Sequence, residues 1–168
     1  MEKYSINGVS LIKNEKAIFP MMGEFHFSRC PEKEWEDEIR KMKACGMDII
    51  ATYVFWIHHE EEEGVFDFSG QRNLHRFLEL CEKWQMHVWL RIGPWAHGEA
   101  RNGGFPDWLM KKGYKLRSDD LDYLALVERF WKKIYKEVEG THCILGIQIE
   151  NEYGHVGGQT GEAGEQHM

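Results

Sequence analysis

The chain has 168 residues, of which 42% are hydrophobic and 13% aromatic, and a formal net charge of -7. That length suits a single domain, and the acidity argues against a protein that tracks nucleic-acid phosphates. No apolar run approaches the length of a membrane span, so neither a nucleic acid nor a membrane is an expected partner.

The elements follow in chain order. Ile6 to Asn14 reads as a short β-hairpin, with turn residues at Asn7-Gly8 and Lys13-Asn14. Ala17 to Phe27 reads as extended. Pro31 opens a helical stretch whose apolar face is Trp35, Ile39, Met42 and Cys45, with Gly46 as its stop. Asp48 to Trp56 is the next strand. Ser69 is placed to cap a helix carrying Leu74, Phe77, Leu78, Cys81 and Trp84. Met86 to Ile92 is a third strand. Ser118 is placed to cap a long helix with Leu124, Val127, Trp131, Ile134 and Val138 on one stripe, ended at Gly140. Ile144 to Gly154 is an apolar run that finishes in Glu150-Asn151-Glu152. The Gly-rich tail from Gly157 to Gly164 reads as disordered or as an open loop.

Strand and helix alternate, which predicts a parallel sheet with right-handed crossovers. Two architectures fit: an open doubly wound sheet, or the first half of an eight-stranded β/α barrel. The first should carry a Gly-x-Gly-x-x-Gly turn after its first strand, whereas here that position holds Ser28-Arg29-Cys30-Pro31, and no phosphate-binding loop appears elsewhere. No cofactor is therefore expected. Polar residues instead collect after every strand: Glu24 and His26, then Tyr53, His58 and His59, then His97 and Glu99, then Asn151 and Glu152. A barrel assembles its site from such strand tips.

A carboxylate pair suits glycoside hydrolysis, in which one carboxylic acid protonates the leaving oxygen and a second carboxylate acts as nucleophile or base. Glu152 is the candidate acid/base. Glu150, two residues earlier on an ideal strand, would share its face and raise its pKa by repulsion. Asn151 would then reach the same site only if the strand kinks at its tip. Glu99 is placed either to accept sugar hydroxyls or to pair with Arg101 or Arg91. Trp95 and Trp108 are placed to stack on a sugar or to seal the rim, the rim being the role expected of Trp108. The run from His58 to Glu63 lacks metal-ligand spacing and reads as a solvated or rim loop, so no metal is expected. Cys30, Cys45, Cys81 and Cys143 form no C-x-x-C pair, and residues 1–7 lack the basic and apolar regions of a secretion signal. The expectation is reduced, mostly buried thiols and a cytoplasmic location.

Several segments resemble glycoside hydrolase family 35, the β-galactosidases. They are Gly23-Glu24-Phe25-His26-Phe27-Ser28-Arg29, Trp35-Glu36-Asp37 with Lys41-Met42-Lys43, Thr52-Tyr53-Val54, Gly64 to Gly70, Arg91-Ile92-Gly93-Pro94, Gly103 to Leu109, and Gln148 to Gly154. They occur in the family's order from Gly23 to Gly154. The resemblance implies a TIM barrel followed by β domains, and retaining exo-hydrolysis of terminal β-D-galactose without a catalytic metal. It implies that Glu152 is the proton donor, that Asn151, Tyr53 and Glu99 bind the sugar, and that His97 and Gly98 present backbone or small side chains to it.

The departures border the pocket. Phe55-Trp56-Ile57 stands where the family commonly has Pro-Trp-Asn, Trp95 where many members have Tyr, and His97-Gly98 where many have Cys-Ala. They leave a galactose-like sugar such as an arabinopyranoside open. The family's nucleophile, a glutamate on a later strand, would lie beyond Met168. Residues 1–168 are thus expected to be a catalytic domain incomplete at its C-terminus: an α/β fold of about four β/α units, the N-terminal half of a (β/α)8 barrel preceded by a short β-hairpin. Its partner would be the missing C-terminal half, its lateral edges would lie at the first and fourth strands, and the isolated chain would be inactive. The alternatives are a non-catalytic half barrel that binds sugar or self-associates, and a hydrolase of the same barrel superfamily acting on glucosides or mannosides.

Overall fold

A computed structural model describes residues 3–155 and 157–168; the part of the secretion-signal reading that rests on Met1 and Glu2 lies outside them. The chain opens with three short antiparallel strands, β1 (Tyr4–Ile6), β2 (Leu11–Lys13) and β3 (Lys16–Ile18). The expected hairpin is therefore a three-stranded meander. Asn14 and Glu15 are both left-handed, with φ of 48° and 66°, and Lys13 pairs with Lys16 around them. Positive φ at both central residues is what a two-residue hairpin loop requires. The Ala17–Phe27 run does not extend as one strand. Pro20 has no N–H for a ladder, so β3 ends at Ile18 and β4 (Met22–Glu24) starts a second sheet.

That second sheet runs β4, β5 (Ile49–Tyr53), β6 (His87–Arg91), β7 (Ile144–Gln148), every pair parallel. Its crossovers carry α1 (Trp35–Ala44), then the one-turn α2 (Trp56–His59) with α3 (Leu74–Lys83), then the short α4 (Asp107–Met110) with α5 (Leu121–Val138). A last short helix, α6 (Glu162–His167), occupies much of the tail that reads as disordered or loop. The His167 ring stacks on Tyr153 at 5.1 Å, and its Nδ1 lies 2.7 Å from Asp119. Among the described residues no helix is long and apolar enough to cross a membrane.

Alternation along the strands separates two faces. Ile50, Val88 and Leu90 point to the helices and pack with Ile39, Phe77, Leu78, Val127, Phe130 and Ile134 in one continuous core. The opposite face carries Tyr53, Arg91 and Gln148 in one row, and Glu24, Ala51, Trp89 and Gly146 in the row below. Gly146 is required there, because an added Cβ would lie 2.2 Å from the Trp89 ring.

Helix starts differ from the sequence expectation. Pro31 precedes a 3-10 turn (Glu32–Glu34), and α1 begins only at Trp35. Cys45 falls past the helix end and is exposed, while Cys30 is half-buried and Cys81 and Cys143 are buried. Ser69 does not cap α3; its N–H and hydroxyl both donate to Asp67 Oδ1, and Asn73 is the cap, accepting from the Arg76 N–H at 2.8 Å. Likewise Asp120, not Ser118, caps α5, accepting from the Tyr123 N–H at 3.0 Å. Replacing Asn73 with Ala is expected to lower unfolding stability by about 1 kcal/mol, the usual cost of a lost helix cap, read from the midpoint of urea denaturation. Asn73→Asp should restore most of it.

Glu61, Glu62 and Glu63 are exposed, as a solvated run should be, but His59 and Glu60 before them are not. His59 is fully buried, stacked on Phe68 at 4.5 Å, and burial holds its pKa down to about 4. Glu60 is also fully buried. Its carboxylate accepts from Trp56 Nε1 at 2.6 Å and the Gly64 N–H at 2.7 Å, and forms an ion pair with Arg129 on α5. Its carbonyl accepts from Trp108 Nε1 at 2.9 Å, which fixes that indole at the rim.

Candidate active site

The carboxyl ends of β4 to β7 bring together the polar residues of the inner face. Arg91, at the tip of β6, organises them. Its guanidinium donates to Glu24 Oε1 at 3.1 Å and to Asn151 Oδ1 at 2.6 Å, and lies 3.8 Å from the centre of the Tyr53 ring. It thereby links β4, β5 and the segment after β7. Gln148 Nε2 also donates to Asn151 Oδ1, at 3.3 Å. His26 stacks on Tyr53 at 5.3 Å with its ring 8° from parallel, and its Nε2 is 3.1 Å from Glu24. Burial lowers the His26 pKa, so the ring tends to neutrality.

Tyr53 stands at the centre. Its ring is buried, and burial raises its pKa to about 12. Arg91 opposes that rise, while Glu24, Glu152 and Glu99 reinforce it. A neutral phenol surrounded by three carboxylates is a hydrogen-bond donor at any ordinary pH.

The loop after β6 supplies the next group. His97, Gly98 and Glu99 are successively left-handed, with φ of 60°, 41° and 51°. Gly98 needs its missing side chain, since a Cβ would lie 3.1 Å from the Phe55 ring and 3.3 Å from Tyr53. The loop backbone at Gly98 therefore lies directly against Tyr53 at the tip of β5 and Phe55 just beyond it. His97 Nδ1 lies 3.1 Å from Glu152 Oε2, and both side chains remain about half exposed. Glu99 is exposed and pairs with neither Arg101, which bonds Asp107 at 2.8 Å, nor Arg91. It opens onto a cleft of about 530 Å³ that also includes Arg29, Ile57, His58, Arg101 and Asp107. Trp95 turns inward to pack on Phe105 and against Gly103, where an added Cβ would meet its ring at 2.0 Å.

β7 ends at Gln148, and the chain then kinks. Glu150 and Glu152 are both left-handed, at φ 56° and 48°. This rotation lets Asn151 and Glu152 both reach the inner end of the sheet. It also separates the two carboxylates. Glu150 turns into a buried ion pair with Arg117, at 2.7 Å, instead of facing Glu152. The near neighbour of Glu152 is His97, not Glu150.

The six predicted residues Tyr53, His97, Gly98, Glu99, Asn151 and Glu152 thus gather at one end of the parallel sheet. In the sequence Arg91 stands out only as a possible partner for Glu99 and as the start of Arg91-Ile92-Gly93-Pro94; its joining role emerges from the structure. The signal was present: it is the one cation in the apolar run from Val88 to Ile92, at the tip beside Tyr53. His26 and Glu24 were visible as strand-end polar residues, but their attachment to Tyr53 and Arg91 was not. The arrangement offers an exposed carboxyl beside an imidazole, a protonated phenol, an amide held by Arg91 and an unpaired carboxylate. Such a set can donate a proton and bind hydroxyl groups.

Comparison with known proteins adds the following. The pattern describing glycosyl hydrolases family 35 matches residues 10–167. Beta-galactosidase 6 of Oryza sativa subsp. japonica is 38% identical over 154 residues, covering 87% of this chain and 18% of that protein. The beta-galactosidase of Bos taurus is 38% identical over 149 residues, covering 85% and 23%; that of Xanthomonas manihotis is 34% identical over 157 residues, covering 90% and 26%. The chain therefore spans about a quarter or less of these relatives. Among solved structures, the beta-galactosidase of the psychrophilic Marinomonas ef1 superposes with a TM-score of 0.65 over 81% of this chain and 22% of that one, at 16% identity. Exo-beta-1,4-mannosidase Op5Man5 from Opitutaceae bacterium strain TAV5 gives 0.65 over 81% and 25%, at 19% identity. These structural likenesses establish the α/β fold with a parallel sheet.

Proposed function

Because the chain belongs to glycosyl hydrolases family 35, we propose that it forms the first four β/α units of a TIM barrel that hydrolyses terminal, non-reducing β-D-galactose residues with retention of configuration. In this reading Glu152 protonates the glycosidic oxygen while a carboxylate from a later strand attacks the anomeric carbon. Glu152 then removes a proton from the water that releases the sugar. Its contact with His97 suits a group that alternates between two states: Nδ1 donates to the carboxylate, or accepts from the acid. Asn151, clamped through its oxygen by Arg91, turns its NH2 toward sugar hydroxyls. Tyr53 donates from its phenol, and Glu99 accepts. The sugar substrate is the partner this site requires.

The observation that carries the reading is the convergence on Tyr53: Arg91 lies 3.8 Å from its ring centre and holds Asn151, and the loop at Gly98 packs against it while His97 of that loop meets Glu152 at 3.1 Å. The polypeptide that carries the whole barrel is expected to hydrolyse an aryl β-D-galactopyranoside and release β-galactose as its first product, read from the anomeric proton signal. The 168 residues alone are expected to release none, because the nucleophile is absent. Release of α-galactose first, or faster turnover of the corresponding glucoside or mannoside, would overturn the proposal. An α-L-arabinopyranoside turned over at a comparable rate would widen the sugar class without changing the mechanism.

A further inference from the structure

Arg117 is the feature that the site as described does not use. It lies in the connection before α5, is only 2% exposed, and has a left-handed backbone, φ 52°. Its Nε donates to Glu150 Oε2 at 2.9 Å, and its Nη2 bonds the same oxygen at 2.7 Å and the Asn151 carbonyl at 2.8 Å. The Arg117 carbonyl accepts from the Tyr153 hydroxyl at 3.0 Å. The guanidinium also lies 4.8 Å from the Trp95 ring centre and 5.2 Å from that of Tyr153. One buried residue therefore holds the main chain or side chain on both sides of Glu152, and touches the indole two residues before His97.

This matters because the segment it holds is strained. Glu150 and Glu152 both occupy the left-handed region, which a non-glycine residue keeps only where the surroundings enforce it. One further tie does so: the Glu150 N–H donates to the Gly93 carbonyl at 2.8 Å. Without the clamp, the relaxed course of β7 would return Glu152 toward strict alternation and away from Asn151.

We infer that Arg117, through its buried pair with Glu150, is the positioning residue for the proton donor. It sets the aim of Glu152 without contacting the sugar, while the Asn151 side chain keeps its own anchor in Arg91. The inference rests on Glu152 being that donor. Lysine cannot replace it, because the fork that grips Glu150 and the Asn151 carbonyl together, and the flat face against Trp95, belong to guanidinium alone.

The test uses the complete hydrolase with Arg117→Lys, Glu152→Gln and the double variant, each measured on a β-galactoside with a poor alkyl leaving group and on a dinitrophenyl β-galactoside. Thermal melts establish the folded fraction. Arg117→Lys is expected to lower kcat on the alkyl substrate about 10²-fold, the scale of an ångström-sized misplacement. KM should change little, and the first-step rate on the dinitrophenyl substrate should be nearly retained. In the double variant the lysine should add almost nothing to the loss from Glu152→Gln, because both changes act through one group. Equal losses on the two substrates, or losses that multiply in the double variant, would mean a merely structural arginine and sink the inference. If Glu152→Gln itself shows no leaving-group dependence, the donor assignment fails, and the inference with it. Should Arg117→Lys not fold, the same comparison with Glu150→Gln decides.

Discussion

Glu152→Gln in the complete enzyme is expected to lose about 10²- to 10⁴-fold in kcat/KM on galactosides with poor leaving groups, the usual worth of a positioned general acid. At 1.36 kcal/mol per decade this is about 3–5 kcal/mol of transition-state stabilisation. Glutamine keeps the shape and can still meet His97, but it has no proton of suitable acidity to give. A dinitrophenolate needs no protonation to leave, so the first step on that substrate should survive. The second step should not, because water then lacks its base. The glycosyl-enzyme should accumulate, with a burst of dinitrophenol and a fall in both kcat and KM. Burst kinetics together with the two kcat/KM ratios check this. Equal losses on both substrates, with no burst, would remove Glu152 from the acid/base role.

Glu60→Ala is expected to be strongly destabilising although it removes no apolar side chain. The side chain is 0% exposed, and its two oxygens serve three donors: the Trp56 indole, the Gly64 N–H and Arg129. Truncation leaves the buried Trp56 indole without a partner, at about 1–3 kcal/mol. Gly64 is exposed and Arg129 one-third exposed, so both can turn to water and their shares are smaller. A loss of about 2 kcal/mol or more follows. Glu60→Gln should cost less but still matter, because one face of its amide must turn N–H groups toward donors. Urea denaturation gives both values. A change within 0.5 kcal/mol for Glu60→Ala would show that the network contributes little.

The sequence revealed the sheet and the site for one reason. A strand of a parallel sheet reads as a largely apolar run, and its end is marked where polar residues begin. Ile49–Tyr53 is buried throughout, while His87–Arg91 and Ile144–Gln148 are partly buried and keep the same apolar stretch; their tips hold Tyr53, the loop to Glu99, and Asn151-Glu152. What stayed hidden depends on distant partners or on backbone shape. Glu60 sits among four consecutive glutamates and looks solvated; Arg129, its partner on α5, is far away in sequence. Ser69 looked like a cap, but the helical stripe starts later, at Leu74, and Asn73 stands directly before it. Glu150 and Glu152 looked like neighbours on one face because alternation assumes extended backbone, and two left-handed residues cancel that assumption. Pro20, which has no N–H, is the legible signal that divides the Ala17–Phe27 run.

The left-handed stretch at His97, Gly98 and Glu99 limits how this pocket can diversify. Asparagine and aspartate tolerate that backbone, whereas valine, isoleucine and threonine do not, so hydroxyl-reading groups are admitted and branched aliphatic ones are barred. At position 98 even a methyl group would press on two aromatic rings. Under the proposed function, variation at 97 and 99 would thus be confined largely to side chains that accept this backbone.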